Sequence, residues 1–71
     1  MNWIYKYRPE KGGEWPFSLT FAGPTGDLYL HSDDIYNWCF ATFEGKSWFS
    51  ANSKFYFKEK SQAEMFILRW S

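Results

Sequence analysis

Apolar residues recur along this chain at two spacings, and the change from one to the other marks out its elements. Residues 54–58 alternate, with Phe55 and Phe57 on one side and Lys54, Tyr56 and Lys58 on the other, as in a strand with one buried face. Beyond them Ala63, Phe66, Ile67 and Trp70 recur at helical spacing and form one apolar stripe. Ser61 followed by Glu64 reads as a capping box, in which each side chain accepts from the other residue's backbone N–H. The final helix is therefore predicted to begin at Ser61 and to lie on the Phe55 and Phe57 side of the strand.

The same reading applies upstream. Residues 2–8 alternate Trp3, Tyr5 and Tyr7 against Asn2, Ile4, Lys6 and Arg8, a first strand. Residues 9–13, with a proline and two glycines among charges, read as a loop. Residues 15–21 alternate Trp15, Phe17, Leu19 and Phe21 against Pro16, Ser18 and Thr20, a second strand expected to form a hairpin with the first. Gly23-Pro24-Thr25-Gly26 reads as a turn with Gly26 free to take positive φ, and residues 28–30 as a short extended piece. Ser32 then looks like a helix cap, with Asp33 and Asp34 in the favoured first turn and Gly45 placed to end the helix. Ile35, Trp38, Cys39, Thr42 and Phe43 make a helical stripe that leaves Tyr36 and Phe40 off it. A strand is the rival over residues 33–44, because Tyr36, Trp38, Phe40 and Thr42 also alternate; the caps favour the helix. Residues 46–50, around Trp48 and Phe49, read as a strand, and residues 51–53 as a hairpin turn. The order is β-β-α-β-β-α: an α+β fold, residues 1–71 forming a single domain with one antiparallel sheet and both helices on one face.

Composition sharpens this picture. A chain of 71 residues buries only about 60% of the surface its unfolded form exposes. Eight Phe, five Tyr and five Trp must supply much of the core, yet so thin a domain cannot enclose them all, so several should sit half covered. One cysteine and one histidine form neither an internal disulfide nor a zinc site. With no apolar run approaching the length of a membrane span and no leader pattern, the protein is expected to be soluble and cytoplasmic, with no membrane partner. Net charge is zero, which weighs against a dedicated nucleic-acid binder. The zero hides a polarity. Residues 27–44 carry Asp27, Asp33, Asp34 and Glu44 without Lys or Arg, whereas Lys46, Lys54, Lys58, Lys60 and Arg69 outnumber the acids that follow.

No residue set points to catalysis, a cofactor or a metal. His31 is the one imidazole that could activate Cys39, and nothing in the spacing joins them; a cysteine between Trp38 and Phe40 reads as a small buried hydrophobe. Asp33 and Asp34, with Asp27 and His31, could be argued as a divalent-metal site, but helix-start acids explain them more simply. Gly23-Pro24-Thr25-Gly26 lacks the Gly-Lys-Ser/Thr of a phosphate loop. The expected function is therefore non-enzymatic binding. Trp3, Tyr5, Tyr7, Trp15 and Trp48 are the candidate anchors for a protein partner, with Asp33 and Asp34 on an acidic flank as a second surface, and the same aromatics could pair a homodimer. Tyr56 between Lys54 and Lys58, together with Lys6 and Arg8 near Tyr5 and Tyr7, is the alternative: a sheet platform for single-stranded nucleic acid.

Asn37-Trp38-Cys39 in a capped helix, an aromatic hairpin with Phe55-Tyr56-Phe57, then Ala63 and Phe66-Ile67-Leu68-Arg69-Trp70 resemble a group of small proteins encoded by tailed bacteriophages. The resemblance spans residues 33–71 and consists mostly of core positions. It implies a viral origin and a protein that binds a host protein, a defence or transcription component, and inhibits or redirects it by occupancy. It implies no catalytic residue.

Overall fold

The structure is a computed structural model and describes residues 2–9 and 15–71. Apart from Pro9, the loop expected over residues 9–13 lies outside the described residues. The element order is β1 (Trp3–Tyr7), β2 (Phe17–Phe21), α1 (Thr25–Thr42), β3 (Trp48–Ala51), β4 (Lys54–Phe57) and α2 (Lys60–Trp70). The four strands form one antiparallel sheet in the order β1-β2-β4-β3, so the expected β-β-α-β-β-α arrangement holds, with the two hairpins joined by β2 pairing with β4.

Register fixes which residues share a face. Trp3 lies opposite Phe21, Tyr5 opposite Leu19 and Tyr7 opposite Phe17; Phe17 and Leu19 in turn oppose Phe57 and Phe55, and Phe57 opposes Trp48. Both helices cover this face. Leu19, Phe55 and Phe57 are buried with Ile35 and Cys39 of α1 and Ala63 and Phe66 of α2. At the free end of the β3-β4 hairpin Asn52 and Ser53 both take positive φ, 51° and 64°, the conformation a two-residue turn requires if its twist is to match the strands.

Three expected boundaries move, each for a local reason. Helix α1 starts at Thr25, so Pro24-Thr25-Gly26 and residues 28–30, expected as turn and strand, are helical, and Asp33 and Asp34 fall in mid-helix. Pro24, with φ −59° and ψ 134°, occupies the N-cap position and its carbonyl accepts from the Asp27 N–H, while Asp27 supplies the first-turn acid. What pulls the helix back is Leu28, two turns before Ile35 on the same stripe and packed against the core. Ser32 caps nothing; its hydroxyl donates to the Tyr29 carbonyl inside the helix at 3.1 Å. The same helix ends at Thr42, and Gly45 lies beyond its Phe43 cap.

The second shift is at α2, where the reciprocal box forms between Glu59 and Gln62 rather than Ser61 and Glu64. Gln62 Oε1 accepts from the Glu59 N–H at 2.9 Å and Gln62 Nε2 donates to Ser47 Oγ at 2.8 Å, which ties the helix start to the entry of β3. The third shift is at Pro16. The Arg8 N–H still bonds the Pro16 carbonyl at 2.7 Å, but proline has no N–H to return, so β2 begins at Phe17 and Trp15 leaves the alternation.

Two comparisons test this account. Gln62→Ala, which breaks both bonds at the start of α2, is expected to lower stability by about 1–2 kcal/mol, and Ser61→Ala by only a few tenths. Phe66→Ala is expected to cost about 3–5 kcal/mol, while Leu68→Ala, on a residue 85% exposed, stays within about 0.5 kcal/mol. Urea unfolding of the four variants reads both, and a Ser61→Ala loss matching that of Gln62→Ala would contradict the assigned cap.

Candidate binding face

The sheet face away from the helices is built from the even positions of β1, β2 and β4 and the odd positions of β3. Its rows follow from the register: Ile4, Thr20, Lys54 and Ala51, then Lys6, Ser18, Tyr56 and Phe49. The Arg8 to Pro16 and Lys58 to Ser47 backbone bonds extend it by a row holding Arg8 and Lys58. Phe49 and Tyr56, neighbours on β3 and β4, stack with ring centroids 4.4 Å apart and planes within 10°. Trp15, released by Pro16, sets its ring edge against Phe49 at 4.9 Å, and Lys58 Nζ lies 5.3 Å from the centre of the Trp15 ring. On the side of Tyr56 away from Phe49 the row continues with small Ser18 and then Lys6.

Charge on this face has one sign among the described residues. Lys6, Arg8, Lys54 and Lys58 surround the three rings, and all four are exposed. Asp27, Asp33 and Asp34 stand exposed on α1, across the sheet. A net charge summed over the whole chain thus does not describe the field at the sheet face, where the described charges are all cationic.

The other sequence candidates are dispersed. Trp48 is not an exposed anchor: it is 6% exposed, enclosed by Tyr36, Phe40 and Phe55, because the register sets it opposite Phe57 on the helix side and turns its neighbour Phe49 to the other face. Trp3 is half-buried, with its ring against Phe21, Phe55 and Phe66 and its indole N–H donating to the Trp70 carbonyl at 3.1 Å. Tyr5 and Tyr7 are exposed but lie on the helix side, packed beside Phe17, so they do not share a platform with Tyr56. Of the expected anchors, Trp15 and Tyr56 are brought together on the open face through Phe49, which both rings touch. Phe49, which completes the cluster, was not singled out; its place beside Trp48 in a strand, where neighbours alternate faces, was the available signal.

A groove of about 450 Å³ opens between the first half of α1 and the β3-β4 turn, lined by Leu28, Tyr29, Tyr36, Ser50, Asn52 and Phe55 among others. Tyr36 closes one end by donating its hydroxyl to Ser50 Oγ at 3.0 Å. Among the described residues no three His, Cys, Asp or Glu side chains gather as a metal site, and no helix is long and apolar enough to cross a membrane. No protein-family model, curated protein or solved structure matches this chain.

Cys39 is fully buried beneath α1, and burial pushes its thiol up from the ordinary 9.0 to about 12. The unfolded chain loses this proton near 9.0 and the folded one near 12, so deprotonation favours the unfolded state between those values. Stability is expected to fall as pH rises through that window, and less steeply in Cys39→Ala than in the native chain. Near neutral pH the native thiol should resist an alkylating reagent that modifies the urea-unfolded chain at once; equal rates in the two states would refute the burial.

Proposed function

We propose that this is a non-enzymatic binding protein whose working surface is the helix-free face of the sheet, and that its ligand is single-stranded nucleic acid. The observation that carries the reading is the Trp15, Phe49 and Tyr56 cluster ringed by Lys6, Arg8, Lys54 and Lys58 with no acid among the described residues of that face. Bases stack on exposed aromatic rings whatever their sequence, and ammonium and guanidinium groups take the phosphates between them. The strands here supply both, with Ser18 and Thr20 between the ring-bearing strand and Lys6 keeping the surface low enough for a base to lie flat.

A protein partner is the second reading. Trp15, Tyr56 and Arg8 are of the residue types that dominate interface hot spots, and it is the reading to which the phage resemblance leads: occupancy of a host protein, without chemistry.

The two part on salt. Binding of a labelled oligothymidylate or oligouridylate is expected to weaken steeply with salt, with a log–log slope of roughly −2 to −3 for four cationic contacts on a single strand. Tyr56→Ala is expected to cost about 1–3 kcal/mol of that affinity while leaving the thermal midpoint nearly unchanged. Absence of oligonucleotide binding at low salt, with salt-independent and nuclease-resistant capture of one host protein that is lost in Trp15→Ala, would select the second reading.

A further inference from the structure

Strand β1 lies at one edge of the sheet. In the β1-β2 ladder the Ala22 N–H bonds the Asn2 carbonyl at 2.9 Å and the Arg8 N–H bonds the Pro16 carbonyl. Antiparallel bonds alternate along a strand, so Asn2, Ile4, Lys6 and Arg8 are the residues turned toward β2. Trp3, Tyr5 and Tyr7 therefore direct their main-chain N–H and C=O groups outward, and no described strand pairs with that edge.

The usual protections of an edge are thin here. No proline interrupts β1, no bulge interrupts its register with β2, and Lys6 is its one charge. Ile4 on one face and Tyr5 and Tyr7 on the other are 49%, 40% and 55% exposed. The opposite edge differs. By the Lys58 to Ser47 bond, β3 turns only Trp48 and Ser50 outward, and Ser50 is held on the helix side by the Tyr36 hydroxyl.

We propose that two copies of this chain join through β1 in antiparallel register about Tyr5, making one continuous eight-stranded sheet from two four-stranded ones. That register is self-complementary. Tyr5 exchanges N–H and C=O bonds with Tyr5 of the second copy, and Trp3 does so with Tyr7. On the helix side the exposed Tyr7 of each copy comes beside Trp3, over which α2 ends with the Trp3 to Trp70 bond. On the open side Lys6 falls opposite Ile4 and Arg8 opposite Asn2, so no like charges face directly. Centred on Lys6 the ladder would set Lys6 against Lys6 of the second copy, and centred on Tyr7 it would set Lys6 against Arg8, like charges directly opposite that weaken the pairing.

Such a dimer would bring the two cationic aromatic faces to the same side of one sheet, but the pairing stands without that ligand, and its test uses none. Sedimentation equilibrium of the purified chain is expected to show the mass doubling with concentration. Amide exchange should slow at Trp3, Tyr5 and Tyr7, the three that face solvent in a single copy, as the dimer fills. Tyr5→Pro removes an outward N–H that β2 does not use and should give a monomer that keeps its near-ultraviolet circular dichroism. Ile4→Lys places a second ammonium group across from Lys6 and should weaken association roughly fivefold or more, with the weakening relieved by salt. A chain that stays monomeric at all concentrations with fast exchange at those three amides would overturn the proposal. So would a dimer indifferent to Ile4→Lys.

Discussion

The ring of Phe66 touches Trp3 from β1, Phe55 and Phe57 from β4 and Trp38 from α1, with centroids between 4.8 and 6.2 Å, and so holds four elements through one side chain. It is fully buried, as are Leu19 and Phe57 around it. A two-layer domain this small has no second core to fall back on. Its stability is concentrated where the rings meet, in edge-to-face and tilted contacts that add about 0.5–1.5 kcal/mol per pair beyond the area they remove from water. Trp38 and Trp70 close the same cluster from the helix side, with the Arg69 guanidinium over the outer Trp70 ring at 4.1 Å.

That concentration has a geometric consequence. With both helices committed to one sheet face, nothing in the described chain covers the other, and the residues there must tolerate water. Thr20, Ser18, Lys6 and Lys54 do so without remark. Trp15, Phe49 and Tyr56 do not follow from solubility, since a Phe-Tyr stack with a tryptophan against it exposes apolar carbon that Ser or Thr would not. The cluster also does little for the core, being separated from Phe66 by the sheet. Residues that neither solubility nor the main core accounts for are the ones to which a binding role is assigned.

How much of this was legible in the sequence depends on the kind of information required. Alternation along a single strand is local, and it marked the helix-side residues Leu19, Phe55 and Phe57 and the outward Tyr56. The α2 stripe was equally plain. The start of α1 was not, because Pro24 and Gly26 are strong turn formers, and here they open a helix whose tertiary anchor is Leu28. The cap of α2 was displaced by two residues because Glu59 and Gln62 offer the same chemistry as Ser61 and Glu64, and the link from Gln62 to Ser47, fifteen residues away, is invisible in a local window. Strand order is a global property. That Lys6 and Tyr56 share a row, with β2 between them, could not be read from either segment alone.

Pro16 shows how a local rule can fail where it matters for function. Had the alternation of residues 15–21 continued, Trp15 would point to the helix side with Phe17 and the open face would hold only the Phe49 and Tyr56 pair. A proline accepts but cannot donate in the ladder, so pairing with β1 ends there and the preceding residue is biased to an extended conformation free of the register. Trp15 uses that freedom to reach Phe49 and to lie beneath Lys58. The break in period is thus what delivers the largest ring of the cluster to the cationic face, and the same proline blunts the end of β2 where the sheet would otherwise carry on.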